Sequence, residues 1–440
     1  MANSLMSHLT SCAASIQSTA MVLPSPSPLS GRRMLMASQP KNRPVLDLRS
    51  VELELELLTP LHIGAGGQPL LGNYDVVADT QRGRYYLIDL DRLITERMTE
   101  EQLARGQDPR VDNLITPQEW EAYARAILRG PSGQQIAPES RERWTLLPFE
   151  RNASGHPYLP GSSFKGALRT ALAYHFLRDQ LRQQHQAKQS ARLTDTPVGK
   201  QLRDQLNKNR KSREWFARPL ETLLFQQSEG FDPNHDLLRV VRPSDSKPLP
   251  PDATVVEQVG IYQLRGQELR LLSPKHRWLV ETLPEKTRLR LRLDFDFGPF
   301  GARRGLPEDR RAAVDLPMLL RACREFAYRL VSLEVQTLSR DTRSAVRSFY
   351  QSLAQRIKQA KHDEAYLQLG WGTGWRAKTI GPLLELSTVE DGLEFLDALI
   401  RNLRLDRTGH GRPFPRTRRF VERQGRPVFP LGWVRVRVVS

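Results

Sequence analysis

Residues 159–171 read Leu159-Pro160-Gly161-Ser162-Ser163-Phe164-Lys165-Gly166-Ala167-Leu168-Arg169-Thr170-Ala171. Pro160 and Gly161 break whatever precedes them. Ser162 or Ser163 then suits a helix N-cap, where a hydroxyl accepts from the backbone N–H groups of the first turn. Phe164, Leu168, Ala171, Leu172 and His175 or Phe176 recur at three- and four-residue spacing, which predicts a helix packed on a core. Lys165 and Arg169, four apart, share one flank. N–H groups at a helix start, the positive end of its dipole and two cations together suit a phosphate or a phosphodiester. A capped surface helix with solvated cations fits the same residues.

Before this stretch, Val51, Leu53, Leu55 and Leu57 alternate with Glu52, Glu54 and Glu56, a half-buried strand with one acidic face. Glutamates lined up on one face repel one another unless a basic strand lies beside them. Arg288, Arg290 and Arg292, alternating with Leu289, Leu291 and Leu293, are the best-matched partner, and Arg435 and Arg437 the second. The acidic strand runs into Thr59-Pro60-Leu61-His62-Ile63-Gly64-Ala65-Gly66-Gly67. Further strands are predicted near 74–78, 84–90 and 237–241, and helices near 117–129, 315–338, 341–361 and 388–403. In the second half, Gly370, Gly372 and Gly374 alternate around Trp371 and Thr373, followed by Trp375, Arg376 and Lys378. That pattern fits no regular element and predicts an ordered turn.

Composition narrows the partner. The chain of 440 residues carries a net charge of +17, which favours a polyanion, nucleic acid first and an acidic membrane second. Residues 178–218 hold eleven Lys or Arg against four acids, and residues 401–440 carry eleven Arg and a net +9. Such runs fit an RNA or DNA contact surface, or a solvated face. No apolar run approaches bilayer length, so a soluble protein is expected. Cys12 and Cys323 are far apart and without metal-type spacing, which points to a reducing, cytoplasmic setting and no zinc framework. Residues 1–46 lack Asp and Glu and are rich in Ser and Pro. They read as a disordered extension; a transit peptide or a start read too early fits as well.

Catalytic readings are few. The Gly161 to Gly166 spacing is that of a P-loop, but Ala167 and Leu168 stand where Lys and Ser/Thr are required. The 370–374 glycines have the wrong spacing for a dinucleotide fingerprint. His62 is a candidate acid–base for RNA cleavage, with a packed histidine as the alternative. Asp232, His235 and Asp236 fit either a metal site or a polar turn.

Taken in order, residues 59–66, residues 159–169 and the glycine turn at 370–374 resemble the RAMP superfamily of CRISPR-associated proteins. Residues 370–378 and Pro430-Leu431-Gly432-Trp433-Val434 are most similar to the fifth Csm subunit of type III-A complexes. The resemblance implies an α+β chain with two ferredoxin-like (RRM-type) domains: 47–287 with a helical insertion, and 288–440 with the glycine-rich loop. It implies an RNA-binding subunit, without cofactor or metal, that caps the effector backbone at the 3′ side of the guide RNA (crRNA). Neighbouring backbone and small subunits are the implied partners, together with a host trimming nuclease. RNA contacts are expected from Gly161, Ser162, Ser163, Lys165, Arg169, Gly370, Trp371, Gly372, Thr373, Gly374, Trp375, Arg376 and Lys378. Asp75 lies near where a sister subunit carries its catalytic Asp, but its surroundings do not match. The competing function is a metal-independent RAMP endoribonuclease using His62.

Overall fold

The computed structural model describes residues 48–132, 144–188, 191–208, 213–226, 236–265, 268–297, 314–339, 344–406 and 411–439. Residues 1–46, Asp232 and His235 lie outside them.

The acidic strand is the centre of the first sheet. Leu48–Leu57 lies between Arg288–Asp296 and Trp433–Val438, antiparallel to both. The register sets Glu52 opposite Arg292, Glu54 between Arg290 and Arg437, and Glu56 between Arg288 and Arg435. Glu54 takes Arg437 at 2.8 Å and Arg290 at 3.7 Å, and Glu56 takes Arg435. Both arginine strands therefore flank the acidic one, and opposite charges across neighbouring strands contribute about 0.2–1 kcal/mol per pair. On the other face Leu53, Leu55 and Leu57 are fully buried. A one-residue slip would turn glutamates into that core, so charge and burial specify the same register.

The sheet is completed by Glu364–Gln368 beside Trp433–Val438 and Val241–Pro243 beside Arg288–Asp296. Helix Gly161–Lys188 connects the acidic strand toward Val241–Pro243, and helix Leu316–Thr337 follows Arg288–Asp296. The two helices pack together, with Tyr174 and Phe326 rings 5.2 Å apart, and share one core with the leucine face. Asp315 caps the second helix through Met318 N at 2.9 Å. Cys323 is buried in this core, which pushes its thiol up to about 12.

A second, mixed sheet runs in the order Leu70–Leu71, Thr145–Leu147, Arg277–Thr282, Val255–Arg265, Ala124–Arg129, Arg84–Ile88, Val76–Asp79. Val255–Arg265 also pairs with Thr417–Arg423, which continues into Arg426–Pro430. Strands from both 47–287 and 288–440 thus enter both sheets. Buried carboxylates on three strands of this sheet each hold an arginine: Glu257 with Arg423, Glu281 with Arg151, Glu422 with Arg277.

Two local expectations are corrected. Only Trp120–Tyr123 of the helix expected over 117–129 is helical, and Ala124–Arg129 is a strand. Pairing with Arg84–Ile88 splits its apolar residues by strand alternation, Leu128 and Ala126 to one core and Ile127 to another. At 237–241 a 3₁₀ turn, capped by Asp236, precedes a strand that begins only at Val241. Among the described residues no helix is long and apolar enough to cross a membrane.

Candidate nucleic-acid interface

Backbone hydrogen bonds bring the glycine-bearing segments together. Gly432 N donates to Pro60 O at 2.9 Å, Leu369 N to Gly432 O at 2.7 Å, and Trp371 N to His62 O at 2.9 Å. Thr59 Oγ1 accepts from Trp433 N at 2.9 Å. The segments around 62, 370 and 432 are therefore stitched into one edge. Beside it opens a groove of about 460 Å³, lined by Ile63 and Gly64, by Ser163, Gly166, Ala167 and Thr170 of the long helix, and by Gly370, Trp371, Thr373 and Lys378 of the turn. Three motifs about one hundred or more residues apart in the chain thus meet at a single surface. Gly166 is exposed on its wall, with open space where a side chain would stand.

The helix start is capped otherwise than expected. Neither Ser162 nor Ser163 caps it; Gly161 N donates to Asp245 Oδ1 at 2.7 Å. Gly161 also packs so closely on Pro243 that a Cβ would lie 2.3 Å from its carbonyl oxygen. A carboxylate thus already faces the positive end of the dipole. Arg169 is engaged within the protein: Nη1 donates to Asp236 at 2.8 Å, Nη2 to Glu221 at 3.0 Å, and its guanidinium lies 4.2 Å from the Phe225 ring centroid. Lys165 has no hydrogen bond or ion pair among the described residues. Burial holds its ammonium below the ordinary lysine range, with Asp236 opposing and Arg169 and Arg242 adding to the shift. Lys165 and Arg169 point away from the stripe of the helix that lines the groove.

Within the turn, Gly370, Gly372 and Gly374 all have positive φ, and Thr373 Oγ1 donates to Gly370 O at 3.3 Å. Lys378 lines the groove, largely accessible as a residue but with its ammonium partly desolvated. Trp375 instead packs edge-on to Phe414, ring centroids 5.0 Å apart, beside an apolar pocket of about 400 Å³. Arg376 is buried: it binds Glu334 at 2.8 Å and both oxygens of Glu385 at 3.0 and 2.8 Å. Burial disfavours its charge, but the two carboxylates outweigh this and raise its pKa. Arg376 therefore anchors the turn rather than facing the groove.

His62 is 2% exposed. Its Nδ1 lies 2.7 Å from Glu281 O, and its ring meets Phe149 and Trp371 edge-on at 6.2 and 5.7 Å. Burial lowers its pKa against the opposing pull of Glu281, which favours the neutral imidazole. Asp75 accepts from Leu71 N at 2.8 Å, closing a tight turn, and does not line the groove. Among the described residues no three His, Cys, Asp or Glu side chains are grouped to hold a metal ion.

The sequence reading missed Trp278 and Arg419. Trp278 meets Trp371 edge-on at 6.0 Å, and Arg419 lies 5.0 Å from the Trp371 centroid and 5.7 Å from that of Trp278. The only hint was the density of arginine after residue 401.

An α+β chain built on an antiparallel sheet, with glycine-rich turns converging on a groove, defines a class, and the chain belongs to it: this is a member of the RAMP superfamily, whose family model matches residues 54–377. Among solved structures it is similar to a chain of a Csm–crRNA–target RNA ternary complex of a type III-A CRISPR-Cas system, with a TM-score of 0.62 and 22% identity, over 88% of this chain and 100% of that one. It is also similar to Csm5 of T. onnurineus, with a TM-score of 0.57 and 22% identity, over 87% and 99% of the two chains. These are likenesses of fold. No curated protein matches.

Proposed function

We propose that this chain is a non-catalytic RNA-binding subunit of a type III-A CRISPR effector, capping its backbone at the 3′ side of the guide RNA. The observation that carries this reading is the meeting of residues 63–64, 163–170 and 370–378 at one groove. Small residues and Gly166 on its walls allow close approach of a polyanionic backbone, and Lys378 supplies charge there. Such contacts hold register without reading sequence. Membership of the RAMP superfamily and the fold shared with Csm5 support placement in a Csm complex. Contacts with neighbouring backbone and small subunits, and a part in guide maturation with a trimming nuclease, follow from that placement.

The fold reading goes with it. The strands Trp433–Val438, Leu48–Leu57, Arg288–Asp296 and Val241–Pro243 lie side by side in that order, with helices Gly161–Lys188 and Leu316–Thr337 as the crossovers. We read this order as one βαββαβ ferredoxin-like unit, with the second sheet supplying the other. On this reading the chain's last strand would complete the first unit, and segments 47–287 and 288–440 would each contribute to both.

Binding and cleavage measured together test the function. The purified chain should bind single-stranded RNA of any sequence, with log affinity falling linearly in log salt, unchanged by EDTA, and leave the RNA intact. Cleavage that survives EDTA would instead support the endoribonuclease reading.

A further inference from the structure

Several arginines in this part of the fold are held by carboxylates. Arg418 donates to Glu334 at 2.5 Å, Arg376 to Glu334 and Glu385, Arg277 to Glu422 at 2.9 Å, and Arg423 to Glu257. Arg419, one residue from Arg418 on the same strand, differs. Among the described residues its side chain makes no hydrogen bond or ion pair, and its Nε is buried without a partner. Its guanidinium instead rests against the rings of Trp371 and Trp278. Burial alone holds its pKa below the ordinary arginine value, with no acid offsetting it. Lys378, at the groove, is lowered first by burial and then by the charge of Arg419, so the two cations lie near one another.

We propose that Arg419, packed against Trp371 and Trp278, is an anchor for an RNA phosphate beside the groove. The proposal rests on the RNA-binding reading and adds a residue and a ligand group to it. A half-buried guanidinium without a counter-ion costs stability, and such costs are retained where a ligand supplies the missing charge. Contact with the two indoles restrains the side chain in advance, so less of its freedom is left to lose on binding. The planar fork matches two oxygens of one phosphate, and it reads no base. Trp371 links this cation to the groove: Trp371 is one of the groove's lining residues, its backbone N–H is fixed to His62 O, and Arg419 lines a smaller pocket that shares Gln368, Thr373 and the turn with it.

The test compares the full chain with Arg419→Met and Arg419→Lys, using an oligouridylate as the probe over a salt series. Arg419→Met keeps the stem against the indoles and removes the charge. It should weaken binding about five- to tenfold at low salt and reduce the salt slope by about 0.7, one single-strand phosphate contact, with a Tm no lower than that of the parent. Arg419→Lys should keep the slope and lose part of the affinity, because a point charge replaces a fork. Unchanged affinity and slope in Arg419→Met, with or without a lowered Tm, would overturn the proposal. If Arg419→Met fails to fold, Arg419 is structural and the proposal falls unless Arg419→Lys folds with weakened RNA binding. Normal RNA binding by Arg419→Met with loss of a protein neighbour would also overturn it, in favour of an acidic protein surface. If the parent itself does not bind oligouridylate, the RNA-binding reading fails first, which separates the two claims.

Discussion

Gly370→Ala and Gly374→Ala separate backbone strain from close packing at the groove. The two glycines have nearly the same φ, +79° and +83°, so alanine at either must adopt a left-handed conformation, at a cost of about 1–2 kcal/mol. Their surroundings differ. A Cβ on Gly374 meets nothing within 4 Å, whereas one on Gly370 would lie 2.3 Å from His62 O, with Leu61 and Ile63 methyls at 3.0 Å. His62 O is the acceptor of the Trp371 N–H at 2.9 Å, so relieving the clash breaks the bond that ties the turn to residues 59–64. Leaving that group unpaired adds about 1–3 kcal/mol. Gly370→Ala should therefore destabilise by about 2–5 kcal/mol and Gly374→Ala by about 1–2 kcal/mol. Urea unfolding measures both, and hydrogen exchange at Trp371 reports the broken bond. Equal destabilisation by the two changes, or a Trp371 amide as protected in Gly370→Ala as in the parent, would refute the reasoning.

Glu334, 9% exposed, bridges Arg376 at 2.8 Å and Arg418 at 2.5 Å. Glu334→Gln leaves two buried cations under-compensated and should cost about 3–5 kcal/mol in thermal or urea unfolding, while a loss below about 1 kcal/mol would show the network to be dispensable. Burial would raise the Glu325 carboxyl, but hydrogen bonds from His175 and Arg321 and the charges of Arg178 and His175 hold it at about 2, against an ordinary 4.5. Its contribution is thus present above about pH 4.5 and is lost as the pH falls toward 2, so the stability gap between the parent and Glu325→Gln should close over that window. A gap constant from pH 6 to about 2 would contradict this assignment.

Much of the first sheet was legible because its signal is local. Alternation of leucine with glutamate at 51–57 and with arginine at 288–293 fixes both strand identity and the sign of the partner, and both arginine strands flank the acidic one. The long helix was legible from its apolar spacing, but its cap was not, since Asp245 lies 84 residues from Gly161. The roles of Arg169 and Arg376 were hidden for the same reason: their carboxylates at Glu221, Asp236, Glu334 and Glu385 come from other elements. Ala124–Arg129 shows tertiary pairing overriding helical periodicity. The glycine motifs could be recognised one by one, yet that they share a groove depends on hydrogen bonds between residues 62 and 371 and between 60 and 432. Arg419 differs from Arg418 and Arg423 on its own strand in lacking a carboxylate, a difference that three-dimensional pairing alone creates.

The central claim is that RNA lies along the groove where those motifs meet, and Gly166 gives the most direct test of it. This glycine is exposed on the helix and has open space around it, so Gly166→Glu and Gly166→Gln should both fold, each with improved helix propensity. The two variants have nearly the same shape and differ in charge. Titrated with single-stranded RNA over a salt series, Gly166→Glu should bind at least about tenfold more weakly than Gly166→Gln at low salt, with the difference closing as salt rises. Equal affinities for the two variants at every salt concentration would mean that the RNA does not run through this groove.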